Sequence, residues 1–129
     1  GLTQTLSSRG SAFGDVDNDG DTDILVVNAG APPTLLRNDT REGGHWLGIA
    51  LVGSASNRAG IGARVTVTTD VTQTRHITTA VGYASASDPR ALFGLAGYDA
   101  AARVTVRWPS GSTTVLEDVR GDRYMTITE

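Results

Sequence analysis

The chain has 129 residues, 39% of them hydrophobic, a length that suits one domain, or one domain with an appendage, around a hydrophobic core. It contains no cysteine, which excludes disulfides, zinc–thiolate sites and a thiol nucleophile. The formal net charge is −3 and the arginines are scattered singly, which argues against nucleic acid as a partner, and no apolar run is long enough for insertion into a membrane.

The first segment, residues 1–9, alternates like a β-strand and carries no charge before Arg9. We expect it to pair with a sheet edge in a neighbouring copy of the chain, the contact known as β-strand addition. Such contacts, repeated head to tail, build an open fibre when the rotation between subunits does not close. Self-association is therefore one predicted partnership of this protein.

An aspartate-rich segment follows and is the most informative feature of the sequence. Its acidic residues stand at alternate positions: Asp15, Asp17, Asp19, Asp21 and Asp23. Their mutual repulsion is unfavourable unless a cation neutralises it. Oxygen ligands at the first, third, fifth and ninth positions, with Gly20 at the sixth, are the pattern by which a short loop wraps around Ca²⁺. The sequence predicts a calcium site in which Asp21 offers its backbone carbonyl and the other four offer carboxylates.

The flanking residues exclude an EF-hand, which needs a glutamate at the twelfth position and a helix on each side. Here the twelfth position is Val26, inside the apolar run 24–27, which is typical of a buried strand. We therefore expect the loop to join two strands as a hairpin. The alternative is an ordinary turn of Asp, Asn and Gly that holds no metal.

Period-two alternation recurs along most of the remaining chain and predicts an all-β fold. In segments 63–68 and 103–108 valine alternates with threonine or arginine, as in an antiparallel sheet with one buried face. The predicted strands are 24–28, 34–38, 45–52, 62–69, 73–79, 91–95, 104–108, 113–116 and 124–128. Only 98–103 has room for one short helical turn. Many short strands favour a β-sandwich or an open barrel, and we predict an antiparallel β-sandwich with the calcium-binding β-hairpin appended.

No group of residues in the sequence predicts catalysis. His45 and His76 lie in predicted strands without a second metal-type partner nearby in sequence, so packed or surface imidazoles are favoured over metal ligands or a catalytic base. No Gly-x-Ser-x-Gly nucleophile elbow is present. We predict that the protein is not an enzyme, and a hydrolase with an unrecognised site is the alternative.

Two further features concern the surface and the core. The triplet Asn38-Asp39-Thr40 matches the N-glycosylation acceptor, so Asn38 is a candidate glycosylation site in a secreted chain, although so short a match also arises by chance. The large aromatic residues are expected to anchor the core and not to form a sugar-stacking platform; they are Trp46, Tyr83, Phe93 and Trp108.

Two stretches of the chain resemble known families. Residues 13–24, Phe-Gly-Asp-Val-Asp-Asn-Asp-Gly-Asp-Thr-Asp-Ile, resemble the FG-GAP (VCBS) calcium repeat, and 36–39 followed by 45–47 resemble the exit of such a repeat. The segments that resemble the ASPIC/UnbV domain are 56–65, 82–83, 87–90, 93–95 and 106–111. This order of motifs is similar to that of bacterial secreted proteins related to cartilage acidic protein.

The turn signal Glu42-Gly43-Gly44 marks a predicted boundary between residues 1–42, which hold the N-terminal strand and the calcium repeat, and the sandwich, 43–129. The resemblance implies an extracellular, non-catalytic, β-rich module at the end of a calcium-dependent propeller. A propeller needs about four to eight blades, whereas this chain has sequence for one incomplete blade. Two functions are expected to compete. One is an extracellular structural or adhesion module that assembles through residues 1–9. The other is the C-terminal fragment of a larger propeller protein that binds a protein or glycan ligand.

Overall fold

The structure, a computed structural model, describes residues 5–40 and 43–129. Ten β-strands make up the regular structure of these residues. They are β1 (Ser8–Gly14), β2 (Asp23–Asn28), β3 (Thr34–Leu36), β4 (His45–Val52), β5 (Arg64–Thr68), β6 (Thr72–His76), β7 (Ala91–Ala96), β8 (Ala100–Arg107), β9 (Thr113–Arg120) and β10 (Arg123–Thr128). The described residues contain no helix, which confirms the all-β prediction. Accordingly, none of them belongs to a helix with the length and apolar character needed to cross a membrane.

The strands form three sheets in two compact units. Unit 1 takes in residues 5–40 and 79–88, and unit 2 takes in residues 43–78 and 89–129. The sheet of unit 1 has the order β1-β2-β3. Unit 2 has one sheet of order β10-β4-β7 and another of order β6-β5-β8-β9. The predicted division into 1–42 and 43–129 stays a prediction of domain organisation, and the structure adds that residues 79–88 group with unit 1.

Unit 1 is a hairpin with a third short strand. Strands β1 and β2 pair antiparallel, from Ser8 opposite Asn28 to Gly14 opposite Asp23, and the aspartate-rich loop closes their far end. Among its described residues, the buried side chains are all polar: Asp15, Asp23 and Asn28. The described part of unit 1 therefore lacks the apolar interior that normally stabilises a sheet.

Unit 2 holds the hydrophobic core. In β5 and β8 the buried valines alternate with outward-facing residues, so both strands place one face on the interior. The two sheets of this unit contribute to one cluster of buried side chains: Leu47, Ile49, Ala63, Val65, Val67, Ile77, Ala91, Phe93, Leu95, Ala101, Val104, Val106, Trp108, Val119 and Ile127. Burial of this apolar set is the main source of stability of the chain.

The sheet of order β10-β4-β7 departs from the purely antiparallel arrangement that the sequence predicts. Strand β10 runs parallel to β4, with Arg123 opposite Leu47 and Thr128 opposite Val52. The reason is that β9 and β10 are joined by a tight turn but lie in different sheets, so β10 returns beside the strand that opened the unit. The connection between the parallel strands β4 and β10 is residues 53–122, which is long enough for the crossover that a parallel pair needs.

Two further predictions are wrong. Residues 98–103 form no helical turn, because Ala100–Arg107 extends as β8 and pairs with β5 through Val104 and Val106. Tyr83 does not anchor the core: its side chain is 82% exposed in a turn closed by a bridge between Gly82 and Ser85. All nine predicted strands are present: 45–52 matches β4 at both ends and the other eight have shifted ends. The strand expected before the aspartate loop is β1.

Candidate metal centre

The aspartate-rich loop is held at both ends by the hairpin. Gly14 ends β1 and lies opposite Asp23, the first residue of β2. Between them the backbone turns inward at two left-handed positions, Asn18 with φ 61° and Gly20 with φ 96°. Asparagine and glycine are the residues that adopt this conformation most readily, so the local sequence permits the coil that the ligand pattern requires.

Three of the five predicted ligands come together in this coil. One carboxylate oxygen from each of Asp15, Asp17 and Asp19 lies within 4.8 Å of the other two. Asp15 is buried at the base of the group, and Asp17 and Asp19 are exposed above it. Hard carboxylate oxygens at this spacing suit an oxygen-preferring cation such as Ca²⁺ or Mg²⁺. The triad can therefore hold a metal ion.

Two of the aspartates also organise the loop through backbone hydrogen bonds. The carboxylate of Asp15 accepts from the N–H groups of Asp19, at 3.1 Å, and Gly20, at 2.8 Å. The carboxylate of Asp23, 1% exposed, accepts from the N–H groups of Val16 and Asn38, both at 2.8 Å. These bonds fold the loop around the position where the triad converges.

Asp21 and Asp23 lie outside the triad. Asp21 is half-buried, and its N–H donates to a carboxylate oxygen of Asp19 at 3.0 Å. Asp23 joins the start of the loop to the exit of β3. The predicted roles of Asp21, as a ligand through its backbone carbonyl, and of Asp23, as the carboxylate that closes the site, stay predictions.

The carboxylates of the loop repel one another. Partial burial and the neighbouring charges of Asp19 and Asp23 raise the pKa of Asp17, although Arg37 opposes the shift. Partial burial and the charges of Asp19, Asp15 and Asp23 raise the pKa of Asp21 in the same way. A raised carboxyl pKa means that the ionised form is disfavoured in the folded protein. A bound cation would reverse this, since it favours the ionised form.

Arg37, in the segment 36–39, is a neighbour of this loop that no local sequence pattern predicts. Its guanidinium lies 2.6 Å from a carboxylate oxygen of Asp39 and 3.5 Å from one of Asp17. Both carboxylates raise the pKa of Arg37, with the Asp39 hydrogen bond as the larger cause. The pairing of β2 with β3 brings Arg37 there: Ile24 opposes Leu36, so the next residue emerges beside the loop.

The other candidate residues lie elsewhere. His45 Nδ1 lies 2.6 Å from Asp122 Oδ2, and this hydrogen bond lowers the pKa of Asp122. His76 lies in β6, directly opposite Arg64. The side chain of Asn38 accepts hydrogen bonds from the backbone N–H and hydroxyl of Thr40. Its glycosylation stays a prediction.

A model of the family described as ASPIC and UnbV matches residues 53–129, more than half of the chain. The chain belongs to the ASPIC and UnbV family. The match to this family begins directly after β4, which nevertheless contributes Leu47 and Ile49 to the core of unit 2. Residues 1–52, which include the aspartate-rich loop, lie outside it. A comparison with curated proteins finds no match.

Proposed function

We propose that the chain is a non-enzymatic, extracellular, calcium-binding module of structural or adhesive function, in which an FG-GAP-like hairpin is joined to the ASPIC/UnbV domain. The observation that carries the proposal is the convergence of Asp15, Asp17 and Asp19 within 4.8 Å. Calcium has a structural task here, because unit 1 buries only polar side chains among its described residues. A cation at the triad would supply the cross-link that an apolar core supplies elsewhere.

Calcium is favoured over magnesium by the form of the loop. Ca²⁺ accepts six to eight oxygens in flexible geometry, whereas Mg²⁺ demands a near-ideal octahedron. A coil that offers three carboxylates, further aspartates and backbone carbonyls along residues 15–23 fits the first requirement better. Affinities in the range of extracellular modules, about 10⁻⁴ to 10⁻³ M, would suffice in millimolar calcium.

Calorimetric titration of the purified chain with CaCl₂ tests this site, with MgCl₂ as the competing ion. We expect saturable calcium binding that Asp19→Asn weakens at least tenfold, because a charged ligand is removed. The matched control is Asp70→Asn, which neutralises an exposed aspartate in the β5–β6 turn and leaves binding unchanged. Equal affinity of parent and Asp19→Asn, or no heat with either ion, would overturn the calcium assignment.

Assembly is proposed from the uncovered apolar face of unit 1. Leu25, Val27 and Leu35 are 40%, 52% and 50% exposed on β2 and β3. A small sheet is independently stable only when three or more strands bury a hydrophobic face or pack against another element. Edge strands present unpaired backbone groups that pair with a neighbouring chain. A second copy of the chain, docked on this face or edge, is the partner in this proposal.

The contribution of residues 1–9 to assembly is narrower than the sequence suggests. Residues 1–4 lie outside the described residues, and Ser8 and Arg9 belong to β1, which pairs with β2 of the same chain. The outer edge of β1 is also engaged at Phe13, whose carbonyl accepts from the N–H of Asp88 at 2.8 Å. The edge of β3 is the alternative position for an added strand.

Light scattering after size exclusion, together with negative-stain imaging in millimolar calcium, tests assembly. We expect oligomers or fibres that Leu25→Glu dissolves, because it charges the apolar face. Val71→Glu is the control, since Val71 is 56% exposed in a turn of unit 2. A parent chain that stays monomeric at high protein concentration would overturn the proposal of self-assembly.

The second candidate is the C-terminal fragment of a larger propeller protein that binds a protein or glycan ligand. The same exposed face of unit 1 supports it, because neighbouring blades would cover that face in a propeller. A monomeric parent that gains stability when produced together with upstream blades would favour this candidate over the first.

A further inference from the structure

The four-stranded sheet of unit 2 has an ordered polar outer face. Because Val65, Val67, Val104 and Val106 point into the core, the residues between them point outward. The pairing of β6, β5, β8 and β9 arranges these outward residues in three rows across the sheet. They are His76–Arg64–Arg107–Thr113, Thr74–Thr66–Thr105–Val115 and Thr72–Thr68–Arg103–Glu117.

The first row places two arginine side chains beside an imidazole. Arg64 lies directly opposite His76 on one side and Arg107 on the other, and all three are exposed. None of them has a carboxylate partner among the described residues. Like charges directly opposite one another destabilise a sheet. By contrast Arg103, on the same face, is neutralised by Glu117 at 2.8 Å.

These three side chains line one open cleft. Its other lining residues are Gly62, Trp108 and Gly111. The loop glycines have φ 91° and 95°, left-handed conformations that glycine adopts without strain. The indole of Trp108 is fixed by its N–H bond to Thr114 Oγ1, at 2.9 Å. The cleft is therefore an open recess lined by two guanidinium groups and an imidazole.

We propose that this cleft binds the sulfate groups of a sulfated glycan, with Arg64 and Arg107 as the anion-binding residues and His76 as an additional donor. Guanidinium groups make paired, charge-assisted hydrogen bonds to tetrahedral oxyanions. The threonine hydroxyls of the next rows, exemplified by Thr66 and Thr74, 3.2 Å apart, offer donors and acceptors to sugar hydroxyls. The proposal deepens the second candidate function and rests on it for the extracellular setting.

A glycan is favoured over a nucleic acid by the composition of the face. Non-specific binding of single strands needs aromatic side chains on which bases stack, whereas the outward rows contain threonine, valine, arginine, glutamate and one histidine, and no tryptophan, tyrosine or phenylalanine. Trp108 is buried, at 4% exposure, so it offers no stacking platform. The overall charge of −3 also opposes general attraction of nucleic acid.

Calorimetry with the full chain and a fully sulfated heparin-type hexasaccharide tests this site. We expect binding that weakens as salt increases, and that the double substitution Arg64→Gln and Arg107→Gln weakens about tenfold or more. Arg103→Gln is the matched control, because Arg103 lies on the same face but is already paired with Glu117. Circular dichroism and melting of each variant check the fold, and removal of like charges leaves the melting temperature unchanged or higher.

Three comparisons decide the outcome. The desulfated hexasaccharide is expected not to bind, and equal binding of it would overturn the role of sulfate. Inorganic sulfate, at matched ionic strength, or an oligonucleotide of equal charge that binds as tightly would overturn the glycan assignment. Titrations with calcium and with chelator separate this proposal from the calcium site, since the cleft lies in unit 2 and the aspartate loop in unit 1. Binding that persists in chelator supports the cleft even where the calcium proposal fails.

Discussion

At the residue scale, the aspartates of the loop have two different roles. Asp15 and Asp23 are buried and satisfied by backbone N–H groups, so they shape the coil. Asp17 and Asp21 have raised pKa values because burial and neighbouring carboxylates oppose their ionisation. The same charges that destabilise the empty loop would therefore bind a cation.

The effect of Asp17→Asn on the melting temperature is expected to have one sign in chelator and the opposite sign in calcium. In chelator, the substitution removes a charge that the folded state disfavours, so the melting temperature rises or stays the same. In millimolar calcium it removes a metal ligand, so the melting temperature falls. Thermal melts under both conditions measure the two signs. A fall of equal size in chelator and in calcium would contradict a ligand role for Asp17.

Glu129 occupies a second site of dense hydrogen bonding. Its carboxylate accepts from backbone N–H groups of Ser54, Ala55 and Ser56 and from hydroxyls of Ser56, Ser110 and Ser112. Partial burial opposes its ionisation, but the hydrogen bonds from Ser110 and Ser56 outweigh burial and lower the pKa from 4.5 to about 2. The bonds join the end of β10 to the loop after β4.

Glu129→Gln is expected to lower stability at neutral pH and to change its pH dependence. Because the folded pKa is depressed, the stability contributed by the ionised Glu129 is complete above pH 4.5 and is lost as the pH falls toward about 2. The difference between parent and variant in urea unfolding therefore shrinks across that interval. A difference that is the same at pH 7 and pH 2 would contradict this account.

At the element scale, the parallel pairing of β10 with β4 depends on a close approach at one glycine. A Cβ built on Gly48 would lie 2.2 Å from ring carbons of Tyr124. The ring is held in place, since its centroid lies 5.1 Å from that of Trp46 and 4.0 Å from the guanidinium carbon of Arg90. Tyr124 therefore has little freedom to move aside.

Gly48→Ala is expected to destabilise the protein by about 1–3 kcal/mol, because the added methyl group overpacks against Tyr124. Gly94→Ala is the matched control in the neighbouring strand β7, where a Cβ meets nothing within 4 Å. That control is expected to be neutral or to stabilise by up to about 1 kcal/mol, as glycine is unfavourable within strands. Chemical unfolding of both variants measures these free energies. A Gly48→Ala variant as stable as the parent would show that the Tyr124 ring moves aside, which contradicts the prediction.

At the scale of the whole molecule, the two units differ in what they bury. Unit 2 has a core of apolar side chains, whereas the buried side chains among the described residues of unit 1 are polar. Local stability follows buried apolar contact. Unit 2 is therefore expected to set the stability of the chain, and unit 1 to depend on its proposed metal.

Amide hydrogen exchange is expected to separate these contributions. When free calcium exceeds the dissociation constant a hundredfold, amides of Asp19, Gly20 and Asp21 should exchange about 100-fold more slowly, because binding stabilises the folded loop. Amides of Val65 and Val104, in the core of unit 2, are expected to be unchanged and serve as the internal control. Uniform slowing throughout the chain would contradict a local effect of calcium.

The sequence by itself determined the all-β fold, the approximate positions of the strands and the aspartate loop as a candidate metal site, in which the structure brings Asp15, Asp17 and Asp19 together. Each of these depends on short-range patterns: alternation within a strand, or carboxylates two residues apart on one turn. Such patterns are legible because covalent spacing alone brings the side chains together.

Only the tertiary structure decided the parallel partner of β10, the approach of Arg37 to Asp17, the serine-rich site around Glu129 and the row of His76, Arg64 and Arg107. These contacts join residues far apart in sequence, and the register between strands fixes which of them meet. A shift of one residue would turn Arg64 to the other face of the sheet. The physical reason is that strand register is selected by burial of the whole apolar set, which no local segment contains.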